Sequence, residues 1–186
     1  MNEVISDKII EYLEVDRESI TGIKISYYLE TIIAEMEKLI ILTGIFAIMG
    51  CFTDILLIIG ILLMVRTYTG GTHQKTFIGC LLKTFVFCLI PVLALRFVPA
   101  SDKLQLGISI LLIAVILVFG AVISEYRNVY TDKALKKMRV KGIVGVVIAN
   151  CIYFCMQDKY KIEITVVMLL LFADILSAKI LVLLRK

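Results

Sequence analysis

The most regular feature of this chain is the alternation of long apolar runs with short polar segments. Apolar runs occupy residues 39–65, 77–98, 104–123, 142–157 and 162–184. A helix needs about 20 residues to cross the ~30 Å hydrocarbon core of a bilayer. Most of these runs approach or exceed that length, so the pattern predicts an all-α polytopic membrane protein.

The first apolar run is ambiguous because residues 39–65 are 27 in number. One helix of that length would span ~40 Å, and Asp54 would lie near its middle, where a charge is costly. Two shorter helices that turn at Cys51–Asp54 avoid both problems. With the run divided in this way, we expect about six transmembrane helices.

Two amphipathic helices are predicted before the first apolar run, at residues 3–14 and 24–38, with a break at Thr21-Gly22. In the second, apolar residues recur at steps of three and four positions: Ile25, Tyr28, Leu29, Ile32, Ile33 and Met36. We expect both helices on the cytoplasmic membrane face or packed against the bundle. Residues 1–186 would then form a single membrane domain, with 1–38 interfacial and 39–186 a transmembrane bundle.

Composition supports a membrane protein without a separate soluble domain, since 60% of the residues are hydrophobic and the mean hydropathy is +0.97. The positive charge is concentrated in residues 124–141, which carry six basic and two acidic groups. Short loops rich in Lys and Arg stay in the cytoplasm, so we expect this loop there. Each spanning helix takes the chain to the other side of the membrane, so segments separated by two such helices lie on the same side. This helix parity places the segment around residue 73 and the chain's last residues on the same side as the basic loop. The expected environment is the lipid bilayer, with no nucleic-acid partner.

The candidate chemistry lies between the first two apolar runs, where His73, the only histidine, precedes Cys80 by seven residues. A cysteine nucleophile needs a base that takes its proton, and this pair supplies both groups. On one continuous helix the two residues would be ~10.5 Å apart along the axis, too far for proton transfer. His73 would therefore have to lie in a loop that folds back over the first turn of the Cys80 helix. The alternative is a polar boundary loop beside a packed cysteine.

Gly70 and Gly71 suit such a fold-back, because glycine accepts backbone dihedrals that other residues avoid. Cys80 near a helix N-terminus would also feel the positive end of the helix dipole, which favours thiolate. One His and one nearby Cys give too few ligands for a zinc site, so no metal or other cofactor is expected.

Several neighbouring residues could support this chemistry. Arg66 could hold a substrate carboxylate or acyl oxygen, or serve only as an interfacial anchor. Gln74 and Lys75 could donate hydrogen bonds to an oxyanion, although loop polarity explains them equally well.

Two charged residues lie inside apolar runs. Asp174 needs a partner there: it could orient His73, or pair with Lys83 or Lys179. Lys83, three residues after Cys80, could favour the thiolate or reach toward the membrane interface.

Taken together, Arg66, Gly70-Gly71, His73 and Cys80, with apolar runs on both sides and an amphipathic N-terminal region, resemble the accessory gene regulator B (AgrB) family. These are polytopic bacterial cysteine endopeptidases of peptide quorum sensing. The resemblance implies location in the bacterial cytoplasmic membrane, an active site that faces the cytoplasm, a homodimer, and an AgrD-like propeptide as substrate.

The resemblance further implies that Cys80 is the nucleophile and His73 the general base and acid. Cleavage of the propeptide's C-terminal tail would leave an acyl-enzyme thioester, which the propeptide's own Cys resolves to a cyclic thiolactone, or its Ser to a lactone. The alternatives from other classes are a small membrane transporter and a membrane adaptor without catalytic activity.

Overall fold

The computed structural model describes residues 19–72, 76–95, 97–120 and 131–184. These residues form six helices and no strand, which confirms the all-α prediction. The helices are α1 (Ile20–Ile48), α2 (Phe52–Thr69), α3 (Phe77–Ala94), α4 (Asp102–Phe119), α5 (Asp132–Cys155) and α6 (Asp158–Leu184). Five of them, α2 to α6, are long and apolar enough to cross a membrane.

The chain divides into two compact units, Met1–Gly50 and Cys51–Lys186, and α1 is the described helix of the first. It begins with Ser19, whose hydroxyl accepts a hydrogen bond from the Gly22 amide at 2.9 Å. Thr21 and Gly22 therefore lie in the first helical turn, so the break expected there was wrong: a serine N-cap starts the helix just before them. The predicted helix 24–38 also does not end at 38, because no strong helix breaker precedes Gly50. The predicted helix 3–14 lies outside the described residues.

Residues 39–65 belong to two helices, as predicted, although the chain turns slightly earlier than expected. α1 ends at Ile48, Gly50 has a φ of +75°, and α2 begins at Phe52. Glycine at this position allows the left-handed conformation that ends the helix. Asp54 consequently lies in the first turn of α2, where the positive end of the helix dipole favours a carboxylate.

Two ion pairs define the direction of α2 relative to α6. Asp54, near the start of α2, pairs with Lys159, near the start of α6, at 2.6 Å. Arg66, near the end of α2, pairs with Asp174, further along α6, at 3.6 Å. The two helices are therefore parallel, and we name the two levels of the bundle the Asp54 end and the Asp174 end.

The remaining contacts show how the other helices run between these ends. At the Asp54 end, Tyr153 of α5 donates a hydrogen bond to Asp102 of α4 at 2.9 Å. At the opposite end, α5 residue Gly142 lies against Thr69, the last residue of α2. Gly120, which follows α4, lies against Arg139 in the first turns of α5. The end of α2, the start of α3, the end of α4, the start of α5 and the later part of α6 consequently share the Asp174 end, as the helix parity predicted.

α6 is the central helix of the second unit and contacts α2, α3, α4 and α5. α6 buries apolar side chains, as α2, α4 and α5 do, while other positions on the helices expose large apolar side chains. Such an outer surface suits lipid rather than water. The buried residues of α6 are Ile164, Val166, Val167, Met168, Leu171, Ile175 and Ala178.

α5 corrects one prediction, because five of the six basic residues expected in a loop up to residue 141 lie on its first turns, and the sixth, Arg127, lies outside the described residues. The helix begins at Asp132, and the Thr131 hydroxyl caps it by accepting a hydrogen bond from the Ala134 amide at 3.3 Å. Lysine and arginine are good helix formers. The Asp132 carboxylate in the first turn also stabilises the helix, because it lies at the positive end of the helix dipole. The charge pattern indicated an aqueous location but did not indicate a loop.

Candidate active site

The centre of the candidate site is the Asp174 carboxylate, which is 3% exposed inside the bundle. Its Oδ1 accepts hydrogen bonds from Lys83 Nζ at 2.6 Å and from Thr72 Oγ1 at 2.6 Å. The Thr72 backbone amide donates to the same oxygen at 3.3 Å. A carboxylate on α6 thus binds both α3 and the loop that follows α2.

Arg66 completes the cluster from the last turn of α2. Its Nε lies 3.6 Å from Asp174 Oδ2, and its Nη2 donates a hydrogen bond to the Thr72 carbonyl at 3.2 Å. Lys83 Nζ donates to that carbonyl at 2.8 Å and also to the Thr72 hydroxyl. Both cations lie over the Phe87 ring, at 5.7 Å for Arg66 and 5.3 Å for Lys83, which adds a favourable cation–π contribution.

Gly70 and Gly71 allow the chain to bring Thr72 into this cluster. The Gly70 amide closes α2 by donating to the Arg66 carbonyl at 2.9 Å, and its φ is +74°. At Gly71, where φ is +157°, an added Cβ would collide with Asp174 Oδ2 and would lie 3.4 Å from Arg66 Nε. The double glycine thus serves both the turn and the close approach of the carboxylate.

Cys80 is the fourth residue of α3 and is partly exposed. The Thr76 hydroxyl caps this helix by accepting a hydrogen bond from the Gly79 amide at 3.1 Å, and the Cys80 amide donates to the Thr76 carbonyl at 3.0 Å. Cys80 therefore lies in the first turn of a helix, as predicted from the sequence. Lys83 is three residues further along the same helix, so its side chain lies on the same face of α3 as Cys80.

The charges of the cluster do not balance. Arg66 and Lys83 are two cations that share one carboxylate, Asp174, and their side chains are only 18% and 16% exposed. The described cluster thus has a net positive charge within a poorly hydrated region. A nearby anion, such as a thiolate or a developing oxyanion, would be stabilised there.

Among the residues singled out from the sequence, the structure brings together Arg66, Gly71 and Asp174, with Gly70 in the same turn. His73, Gln74 and Lys75 lie outside the described residues. Of the partners considered for Asp174, the structure shows Lys83.

The sequence analysis did not single out Thr72, although it joins the double glycine to His73. Its position directly before the only histidine was a usable signal. Within the described ranges, no three His, Cys, Asp or Glu residues form a candidate metal site.

The comparison with known protein families decides the identity of the chain. The model of the family described as accessory gene regulator B matches residues 3–181. This chain is a member of the AgrB family. Membership of this family gives the chain a role in the agr quorum-sensing system, and the family is known for peptide processing. The five apolar helices indicate a multi-pass membrane protein. No curated protein and no solved structure matches this AgrB-family chain significantly.

Proposed function

We propose that this AgrB-family protein is a membrane cysteine endopeptidase that removes the C-terminal tail of an AgrD-like propeptide. Cys80 is the nucleophile, and His73 is the general base and then the general acid. The observation that carries the proposal is the contact of Lys83 with the Thr72 carbonyl, at 2.8 Å. Lys83 lies one turn after Cys80 on α3, and Thr72 is bonded directly to His73.

This contact supports the proposal that the His73 imidazole comes close to the Cys80 thiol, because it holds Thr72, the residue before His73, against the helix that carries Cys80. α3 begins only at Phe77, so the described helix does not extend back to residue 73. The separation of ~10.5 Å that one continuous helix would impose therefore does not apply. The imidazole can then take the proton of Cys80 directly or through one water.

Two features of the described site suit the proposed role of Cys80 as nucleophile. The thiol lies in the first turn of α3, where the helix dipole is positive. The Arg66, Lys83 and Asp174 side chains add a net positive charge beside it. A thiolate is the nucleophilic form of cysteine, so both features increase the reactivity of Cys80.

In the first half of the reaction, the Cys80 thiolate attacks the carbonyl carbon of the residue that precedes the tail. The C–N bond breaks, the leaving amine takes the proton held by His73, and the tail departs. The acylated core remains on Cys80 as a thioester.

In the second half, the propeptide's own cysteine thiolate attacks this thioester and Cys80 leaves as thiolate. The product is a cyclic thiolactone, or a lactone where the propeptide has Ser. This exchange is nearly balanced because one thioester replaces another. Formation of a thioester from an amide is uphill, so removal of the free tail must draw the reaction forward.

The candidate site and the basic residues of α5 lie at the same end of the bundle, which supports an active site that faces the cytoplasm. The first turns of α5 carry their lysines at the Asp174 end, and positively charged segments next to membrane helices stay cytoplasmic. In a bacterium, the corresponding membrane is the cytoplasmic membrane. A homodimer stays a prediction.

The test of the proposal compares two single-cysteine variants, one that keeps Cys80 and one that keeps Cys51. Both thiols are partly exposed, whereas Cys88 is fully buried and would react slowly for that reason alone. We expect Cys80 to react with iodoacetamide faster than Cys51 at neutral pH, and His73→Ala to slow Cys80 only. Equal rates at the two thiols, unchanged by His73→Ala, would favour a transporter or an adaptor.

A second experiment tests the substrate. The chain is co-expressed with an AgrD-like propeptide, and the products are identified by mass spectrometry. We expect the tail-free cyclic product with the native chain and its loss with Cys80→Ser. Cleavage that persists in Cys80→Ser would rule out this nucleophile.

A further inference from the structure

We propose that Glu163 of α6 binds a proton inside the bundle and that this proton keeps Lys159 paired with Asp54. The site lies at the Asp54 end, opposite the candidate active site. The proposal is independent of the peptidase chemistry, because none of these three residues belongs to the cluster around Asp174.

The Glu163 side chain is closed to solvent and has no bonding partner. The residue is 0% exposed, and both of its carboxyl oxygens lack a hydrogen-bond partner in the part of the chain that the structure describes. The ion pairs of the same segments do not include it. An ionised carboxylate without donors or a cation is very costly in an apolar interior, and such a group is neutralised instead. The neutral form of Glu163 is the carboxylic acid.

The position of Lys159 shows why its charge does not neutralise Glu163. Lys159 lies four residues before Glu163 on α6, so the two side chains share one face of the helix, about 6 Å apart along its axis. Lysine and glutamate at this spacing can pair, yet Lys159 Nζ lies 2.6 Å from Asp54 Oδ1 on α2. One cation thus has two acidic neighbours and pairs with the one on the other helix.

The α2 surface that faces this part of α6 is apolar. The two helices are parallel, so one turn beyond the Asp54–Lys159 pair, Ile58 of α2 corresponds to Glu163 of α6. The buried residues of α2 between Asp54 and Thr69 offer no side-chain donor to a carboxylate: they are Ile55, Ile58, Ile61, Leu62 and Val65. These surroundings favour the protonated form of Glu163.

The charged groups of α4 at this end are engaged elsewhere. Asp102 accepts the hydrogen bond from Tyr153 of α5 and lies 3.9 Å from Lys161 Nζ. Lys161 is two residues before Glu163, so it does not share the helix face of Glu163. Lys103, next to Asp102, is exposed.

α3 and α5 bring no further charge to this level. Residues 84–94 of α3 and 142–155 of α5 contain no Asp, Glu, Lys or Arg. Their titratable groups are thiols and the Tyr153 phenol, which are ordinarily neutral at neutral pH. Among the described residues, an ionised Glu163 would therefore draw on Lys159 and weaken its pair with Asp54. A proton on Glu163 prevents this competition, which makes the α2–α6 contact at the Asp54 end sensitive to pH.

The first experiment detects the proton by infrared spectroscopy of the full-length protein in detergent. The C=O stretch of a protonated carboxyl group lies at a higher frequency than the bands of a carboxylate, so a buried acid gives a separate band. We expect this band in the native chain at about pH 6, where an ordinary glutamate is ionised. Glu163→Gln should abolish it, whereas Asp158→Asn, which changes a side chain that is 86% exposed, should keep it.

The second experiment measures unfolding in detergent between about pH 6 and about pH 9, where lysine keeps its charge. The unfolded chain releases the Glu163 proton to water, so stability falls as the pH rises through this range. We expect the unfolding equilibrium constant to rise more steeply in the native chain than in Glu163→Gln, by up to about tenfold per pH unit. His73 titrates in the same range, but both chains contain it, so the comparison removes its contribution.

The third experiment tests the competition for Lys159 with a double-mutant cycle. The coupling between Asp54→Asn and Lys159→Met is measured by unfolding at about pH 6 and about pH 9. We expect this coupling, expressed as a ratio of equilibrium constants, to fall at least about twofold at the higher pH. In the Glu163→Gln background it should stay constant.

The proposal is overturned if the native chain lacks the infrared band, or if Glu163→Gln leaves the band and the pH dependence unchanged. A coupling that stays constant in the native chain would contradict the competition for Lys159. Sodium chloride and choline chloride at equal concentration test a metal cation as the alternative occupant. If sodium stabilises the native chain and Glu163→Gln abolishes that effect, the site holds a metal ion in place of the proton. Size-exclusion elution and helical circular dichroism establish that each variant is folded.

Discussion

Lys83 Nζ and Asp174 Oδ1 lie 2.6 Å apart between α3 and α6, and Thr72 bonds to both side chains. The pair thus connects two helices and the loop before His73 in one contact. A buried ion pair adds stability only when further hydrogen bonds satisfy its members, and Thr72 provides them here. The same contact that stabilises the bundle therefore also fixes the approach to the proposed nucleophile.

The first prediction concerns the charge of this pair. Lys83→Met removes one cation near Cys80 and leaves Asp174 with Arg66 and Thr72. We expect the alkylation rate of Cys80 to fall at least about fivefold and the free energy of unfolding to fall by about 1–3 kcal/mol. The measurements are iodoacetamide kinetics on a Cys80-only variant and thermal unfolding in detergent.

Its control is Lys103→Met, which removes an exposed lysine at the Asp54 end and should change neither quantity. If the two variants alkylate at the same rate, the Lys83 charge does not act on the thiol.

The second prediction isolates the Thr72 hydroxyl. Thr72→Val keeps the shape of the side chain but removes its donor to Asp174 and its contact with Lys83, so the His73 segment loses part of its anchor. We expect propeptide cleavage to fall at least about tenfold, while Thr72→Ser keeps most of it. The assay is mass-spectrometric quantification of the released tail.

A matched control is Thr165→Val, which removes a hydroxyl whose bond among the described residues is within α6, to the Lys161 carbonyl at 2.9 Å. Cleavage that falls equally in Thr165→Val would mean that the loss reflects general destabilisation and not the anchor.

The sequence could predict the apolar helices and their alternating directions, because the lengths of the apolar runs and the short connections between them determine both. Division of residues 39–65 followed from the cost of placing Asp54 in mid-membrane. The start of α5 at Asp132 could not be read in the same way, since a basic segment suits a loop and an exposed helical turn equally well. The choice between them depended on the Thr131 cap.

The composition of the site was only partly predictable. The bend at Gly70-Gly71 follows from two adjacent glycines before a histidine. The group that this bend delivers is Thr72, and its partner Asp174 lies 102 residues later in the chain. A contact at that distance in sequence depends on how α3 and α6 pack, which local patterns do not determine.

The third prediction tests the close approach at the double glycine. Gly71→Ala places a Cβ in collision with Asp174 Oδ2, and it does so at an unfavourable φ. We expect loss of cleavage together with a lower unfolding temperature. Gly60→Ala, on α2, where an added Cβ meets nothing within 4 Å, should keep both. Normal cleavage by Gly71→Ala would show that the cluster is not needed in the observed form.

The fourth prediction concerns the opposite end of the bundle. Asp54 is 4% exposed and bonds to Lys159 Nζ at 2.6 Å, so Lys159→Met should leave a buried carboxylate without its cation. We expect a stability loss of about 1–3 kcal/mol, with the alkylation rate of Cys80 unchanged. The double variant Asp54→Asn with Lys159→Met should recover part of the loss, since it removes both charges. Unfolding in detergent measures Lys159→Met, Asp54→Asn and the double variant, and additive losses of the two single variants would show that the pair is not coupled.

The last prediction concerns the contact between α2 and α5, which positions the end of α2 and therefore Arg66. An added Cβ at Gly145 would lie 2.6 Å from the Met64 carbonyl oxygen and 3.5 Å from Val65 Cγ2. Because a backbone carbonyl cannot move as a side-chain tip can, Gly145→Ala must push the two helices apart. We expect a stability loss of about 1–3 kcal/mol and reduced cleavage. Gly107→Ala, on α4 with nothing within 4 Å, should be neutral or stabilising by up to about 1 kcal/mol. If Gly145→Ala is as stable as Gly107→Ala, α5 does not pack against α2 at this distance, and the observed position of Arg66 would need another support.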